Sequence, residues 1–74
     1  MKSLNLHFIK RKRQTLNISL QEMAESLGFK NASTYLKYEN GTYAFKADQL
    51  PTLAIILRCS ITDFFINKIS KTAI

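Results

Sequence analysis

The stretch SLQEMAESLG at residues 19–28 specifies both ends of a helix and its inner face together. Ser19 with Glu22 three residues on forms a capping box, in which hydroxyl and carboxylate each satisfy a free backbone N–H. Leu20, Met23, Ala24 and Leu27 follow at i, i+3, i+4 and i+7, an unbroken apolar face,. Gly28 stands where a left-handed C-terminal cap belongs. A helix this short is unstable alone and depends on other elements covering its apolar side. In a chain of 74 residues those elements must be short as well,.

The remainder of the chain supplies them. Its only glycines are Gly28 and Gly41 and its only proline is Pro51, so helices joined by short turns are favoured over strands and long loops,. At 46% hydrophobic residues the chain can bury one core,. The expectation is an all-α fold, with residues 1–74 as a single domain of five helices. The first covers about 5–16, with Leu6, Ile9 and Leu16 on a stripe that Arg13 interrupts and Asn17 as a left-handed stop,. The second is 19–27. The third covers 31–40, capped by Asn31 and stopped by Gly41, with Tyr35 and Tyr38 as its inward pair,. The fourth covers 48–57, with Asp48 as cap, Pro51 tolerated in the first turn, and Leu50, Leu53, Ala54 and Leu57 repeating the apolar pattern,. The fifth covers 60–70, opened by a second capping box of Ser60 and Asp63 and lined by Ile61, Phe64, Phe65 and Ile69. Residues 71–74 read as frayed.

Eleven basic residues against five acidic ones leave a net charge of +6, which suits a nucleic acid or an acidic membrane surface,. The membrane is disfavoured because Lys and Arg are not segregated opposite one apolar face. The longest wholly apolar run, residues 53–57, is far too short to span a bilayer,. No apolar h-region marks a signal peptide, so a cytoplasmic protein is expected. Cys59 is alone and reads as a small core residue rather than half of a disulfide,.

Catalysis has little to work with. His7 is the single histidine and has no second ligand at metal spacing,. Glu22, Asp48 and Asp63 have capping roles, no serine has a candidate base, and neither glycine belongs to a phosphate-binding loop. A binding module without cofactor, metal or small-molecule substrate is therefore expected, not an enzyme.

Residues 19–41 are a capped helix, a glycine turn and a second helix ending in Glu-Asn-Gly. That is the layout of a helix-turn-helix, whose second helix can enter the major groove of DNA. Two short helices can equally be plain core, so the pattern alone leaves both readings open. The outer face tilts the choice. Asn31, Ala32, Ser33 and Lys37 are small, polar or basic and avoid the Tyr35/Tyr38 side, whereas a merely solvated face more often carries Glu and Lys pairs,.

The same blocks resemble the Cro/cI-type (XRE family) helix-turn-helix repressors of lambdoid phages and their bacterial relatives, over roughly residues 6–66. IKRKRQTLNIS resembles the family's first helix and its Arg, LQEMAESLG the second helix, YENG the end of the recognition helix, and LPTLAIILRCSITDFF the last two helices. The resemblance implies a compact, five-helix, lambda-repressor-like domain that pairs as a homodimer on a near-palindromic operator in duplex DNA and represses or activates nearby genes. It implies base contacts from Asn31, Ala32, Ser33 and Lys37. Phosphate contacts fall to Ser19, Lys30, Asn40, Thr42, Tyr43 and Lys46. It implies pairing of subunits near Ile61, Thr62 and the loop 43–45. Arg13 and Glu39 match a partly buried ion pair tying the first helix to the third, in agreement with an Arg on an apolar stripe needing a partner.

The sequence departs from the family in three respects that bear on DNA contacts or helix placement, and in two core aromatics. Leu20 replaces a phosphate-binding Gln, and Tyr35 and Tyr38 replace aliphatic residues. The turn over 28–31 is one residue longer, so Asn31 is either a pure cap or a base reader. The loop after Gly41 is longer too. Lys10 to Arg13 form a basic run expected to be a solvated face, with Arg13 the structural exception. Two further roles fit the same helices. One is a restriction–modification controller or an antitoxin regulating its own operon. The other is a protein-interaction module docking through Phe64, Phe65 and Ile69.

Overall fold

A computed structural model of the chain describes residues 4–65. Among them are four α-helices and no strand: α1 (Leu6–Thr15), α2 (Leu20–Leu27), α3 (Ala32–Glu39) and α4 (Leu50–Ile56), with 3-10 helices at Ala47–Gln49 and Ile61–Phe65. No described helix is long and apolar enough to cross a membrane.

Local chemistry accounts for the ends of the first three helices. Asn5 caps α1, its side chain accepting from the Phe8 N–H at 3.1 Å. Asn17 follows α1 at φ 59°, the left-handed conformation expected of it,. The capping box of α2 is complete, with Ser19 N–H donating to Glu22 Oε1 at 2.8 Å and Glu22 N–H to Ser19 Oγ at 3.0 Å. Gly28 closes α2 at φ 81°. There the Phe29 N–H reaches the Ala24 carbonyl at 2.8 Å, and the Gly28 N–H reaches that of Glu25 at 3.2 Å,. No added Cβ would collide at Gly28, so glycine is favoured for its backbone alone,.

The fourth expected helix, over 48–57, is divided. Pro51 has no N–H to close an α-helical bond to the Ala47 carbonyl, and the Leu50 N–H takes that carbonyl instead,. The result is a 3-10 turn at Ala47–Gln49 running into α4. Asp48 is not its cap. Lys46 stands at the cap position of the 3-10 turn, and its N–H donates to Oε1 of Gln49, three residues on, at 2.7 Å. The fifth helix is likewise a 3-10 segment where it is described, and residues 66–70, with Ile69, lie outside the described residues. The Asp63 N–H donates to the Ser60 carbonyl at 3.0 Å, an i+3 bond that withdraws it from the Ser60 hydroxyl,. Only half of the expected second capping box forms, the Ser60 N–H donating to Asp63 Oδ2 at 3.0 Å.

The core consists of Ile9, Met23, Ala24, Tyr35, Leu53, Ala54, Leu57 and Phe64. Phe64 is fully buried and meets the Phe8 ring edge-on at 6.2 Å between centroids. Phe65 is half-buried against the same core, so these two rings hold the domain together and are not an open docking surface. Cys59 packs half-buried beside them, and burial pushes its thiol pKa up.

One charged pair enters this core. Arg13 Nε donates to Glu39 Oε2 at 2.8 Å and Nη2 to Oε1 at 3.1 Å, while Nη1 donates to the Ile18 carbonyl at 3.1 Å. Tyr35 Oη donates to Glu39 Oε2 at 2.7 Å. The side chains of Arg13 and Glu39 are 12% and 2% exposed, so α1 and α3 are joined by a two-pronged, nearly dry contact,. The hydrogen bonds that Arg13 donates to Glu39 raise the Arg13 pKa against the opposing effect of burial. Burial first, and then the bond to Glu39, pushes the Tyr35 phenol well above its ordinary range.

Candidate nucleic-acid interface

Helices α2 and α3 form the most extensive helix pair of the fold. Their mutual setting follows from the Gly28 cap and from Phe29, which stacks on Tyr38 at 4.6 Å with ring planes 8° apart. The turn over 28–31 therefore has a structural use, because Phe29 packs on both Tyr38 and the core.

Asn31 caps α3. Its Oδ1 accepts from the Thr34 N–H at 2.9 Å and from Thr34 Oγ1 at 3.0 Å, so α3 starts at Ala32 and the acceptor atom of Asn31 is occupied. Its amide nitrogen stays available as a donor on an exposed residue,.

Tyr35 and Glu39, four residues apart, are buried on the inner side of α3. Ser33 and Lys37, also four apart, are each displaced from them by two residues, about 200° around the helix. Both are exposed at the centre of the outer face. Ala32 is different. It lies half-buried on the flank, next to Leu36, which is 40% exposed and which helix periodicity did not single out.

The residues expected at phosphates are all exposed. Ser19 is at the start of α2, Lys30 in the turn, and Asn40, Thr42, Tyr43 and Lys46 follow α3. Asn40 Oδ1 accepts from the Thr42 N–H at 3.0 Å and from Thr42 Oγ1 at 2.8 Å, and Gly41 takes φ 93°. The loop turns sharply there and Tyr43 comes back under the last turn of α3, its N–H donating to the Lys37 carbonyl at 3.0 Å. Leu20 is half-buried and packs on the core. In the basic run, Lys10 and Arg11 are exposed, Lys12 is half-buried, and Arg13 is committed to Glu39.

What the helix reading passed over is aromatic. Phe29, Tyr38, Tyr43 and Phe45 form a continuous cluster, Tyr38 meeting Tyr43 and Phe45 at 5.4 Å each. Phe29, Tyr43 and Phe45 lie outside helices, where periodicity carries no signal. The cue was composition, three aromatics in or just after the two glycine turns. Among the described residues no three His, Cys, Asp or Glu side chains come together as metal ligands would.

A helix-turn-helix family model matches residues 9–64 of the 74. No curated protein and no solved structure matches.

Proposed function

The chain belongs to the Cro/cI-like helix-turn-helix family, and on that premise we propose that it is a sequence-specific repressor that binds duplex DNA with α3 in the major groove,. The observation that carries the reading is the division of α3, with Tyr35 and Glu39 inside and Ser33 and Lys37 outside. A helix held this firmly by its inner residues presents the outer ones at a fixed angle, as readout of base edges requires.

In this reading Lys37 donates to guanine O6 and N7, Ser33 donates or accepts, Ala32 touches a thymine methyl from the flank, and Asn31 adds its free amide donor. Ser19, Lys30, Asn40, Thr42, Tyr43 and Lys46 hold phosphates. Two copies lie on a near-palindromic operator and meet through Ile61, Thr62 and the loop 43–45. Ile61 and Tyr43, 38% and 45% exposed, give that contact apolar surface. The protein is then a cytoplasmic, non-enzymatic regulator, with the whole chain as one lambda-repressor-like domain. A role as antitoxin or operon controller uses the same interface, and the neighbouring genes distinguish it from a phage-type repressor.

Selection of sites from a random duplex pool, followed by a salt titration on the winner, tests the reading. If about 4–6 phosphates are neutralised per subunit, log affinity falls with log salt by about 0.9 for each. A slope near zero, or a pool that does not converge, removes sequence-specific DNA binding.

A further inference from the structure

We propose that the ring of Tyr43 is a platform that sets where the Lys37 ammonium lies, making Tyr43 a specificity-determining positioning residue. The inference rests on the DNA-binding reading above. Lysine is a mobile point charge on a four-carbon stem, so a lysine on a groove-facing helix discriminates poorly unless its end is confined. Here Lys37 Nζ lies 5.6 Å from the Tyr43 ring centroid, within cation–π range,.

The ring is itself held from three sides. The Tyr43 N–H is bonded to the carbonyl of Lys37, the residue whose side chain it supports. The Asn40–Thr42 bonds and the left-handed Gly41 lock the turn that delivers it. Tyr38 meets it edge-on at 5.4 Å and 70°, and Tyr38 is stacked in turn on Phe29. An aromatic file thus runs from the turn before α3 to the loop after it and ends beneath the Lys37 charge. The phosphate role of Tyr43 uses its hydroxyl, and the platform uses its ring face, so the two are separable by substitution.

The test combines a measurement on the free protein with one on DNA. In the free 74-residue chain, the Lys37 side-chain methylenes show upfield ring-current shifts in the wild type and in Tyr43→Phe, and lose them in Tyr43→Leu. On the selected duplex and its single-base-pair variants, Tyr43→Leu relaxes preference by about two- to five-fold, the worth of an exposed cation–π contact. It does so at the base pair that Lys37→Ala relaxes. It adds nothing there in a Lys37→Ala background. Tyr43→Phe keeps the discrimination, even where losing its hydroxyl weakens all duplexes alike. Unshifted Lys37 methylenes in the wild type overturn the platform while leaving sequence-specific binding intact. Equal loss of preference in Tyr43→Phe and Tyr43→Leu, or a uniform loss in Tyr43→Leu, overturns it as well. Shifted methylenes in a protein with no base preference remove the DNA reading and the specificity role with it.

Discussion

Replacing Glu39 by Ala removes the acceptor of three hydrogen bonds at once. Tyr35, fully buried, keeps its hydroxyl and loses the one partner it has among the described residues. A buried hydroxyl left unpaired costs about 1–3 kcal/mol. Arg13 keeps the Ile18 carbonyl and a thin exposed edge, and loses both bonds to the carboxylate. Breaking a buried pair from one side costs about 3–5 kcal/mol, and the retained carbonyl places the arginine's share at the low end, with the tyrosine making up the rest. A domain of 74 residues is stable by about 4–11 kcal/mol in total, so the loss is most of what holds it folded,. With a urea m-value of about 1 kcal/mol/M, the expected result is a midpoint lower by about 3–5 M or no folded baseline. Glu39→Gln, which keeps the volume and an acceptor without the charge, falls between. Replacing Arg13 by Met, Tyr35 by Phe and Glu39 by Leu together recovers most of the stability, because of the groups in this contact only the half-buried Ile18 carbonyl then loses a donor,. A Glu39→Ala midpoint equal to wild type at unchanged m refutes the argument, since the contact would then be no more than a surface pair.

Tyr35→Phe tests the same network through pH. The folded protein holds the Tyr35 phenol above its ordinary value of 10.0, so the folded state keeps a proton that the unfolded chain has released. Wild-type stability is therefore intact below about pH 10 and declines above it by up to about 1.4 kcal/mol per pH unit, a slope that Tyr35→Phe abolishes. Parallel stability curves for the two proteins at high pH disprove this. Lys37→Ala is expected to cost about 1–3 kcal/mol on the preferred duplex and little on a scrambled one. Lys46→Ala is expected to weaken both alike and to shallow the salt slope by about one phosphate's worth. Equal loss on both duplexes for Lys37→Ala reduces it to a phosphate contact and takes α3 out of the groove.

Helix α2 was fully legible in the sequence because cap, apolar face and stop are set by residues within one short segment. The Ala47–Leu57 region was only half legible. Its apolar face was read correctly, with Leu53, Ala54 and Leu57 buried, but the division into a 3-10 turn and α4 depends on which N–H claims the Ala47 carbonyl. Asp48 was the expected cap, yet the cap position of the turn is Lys46, a residue with no side-chain acceptor, and only the backward bond from Gln49 forms there,. The Ser60 region was misread for a related reason, since a capping box and an i+3 backbone bond compete for the same Asp63 N–H. Phe8, Phe29 and Phe45 were missed as packing residues because their partners are distant in sequence or lie in turns.

The site was legible to the extent that the inside of α3 was. Tyr35 and Glu39 fix the rotation of the helix, one by filling the core and the other by taking Arg13 from α1, and that rotation leaves Ser33 and Lys37 outward. The outer residues could therefore be named from the inner ones without any knowledge of a ligand. This logic reaches Cβ positions and no further. Where the end of a long side chain lies depends on what stands beyond the helix, here a tyrosine six residues later that arrives through a left-handed glycine and an Asn–Thr turn. Periodicity put Lys37 on the exposed face, and only the folded loop puts a ring under its charge.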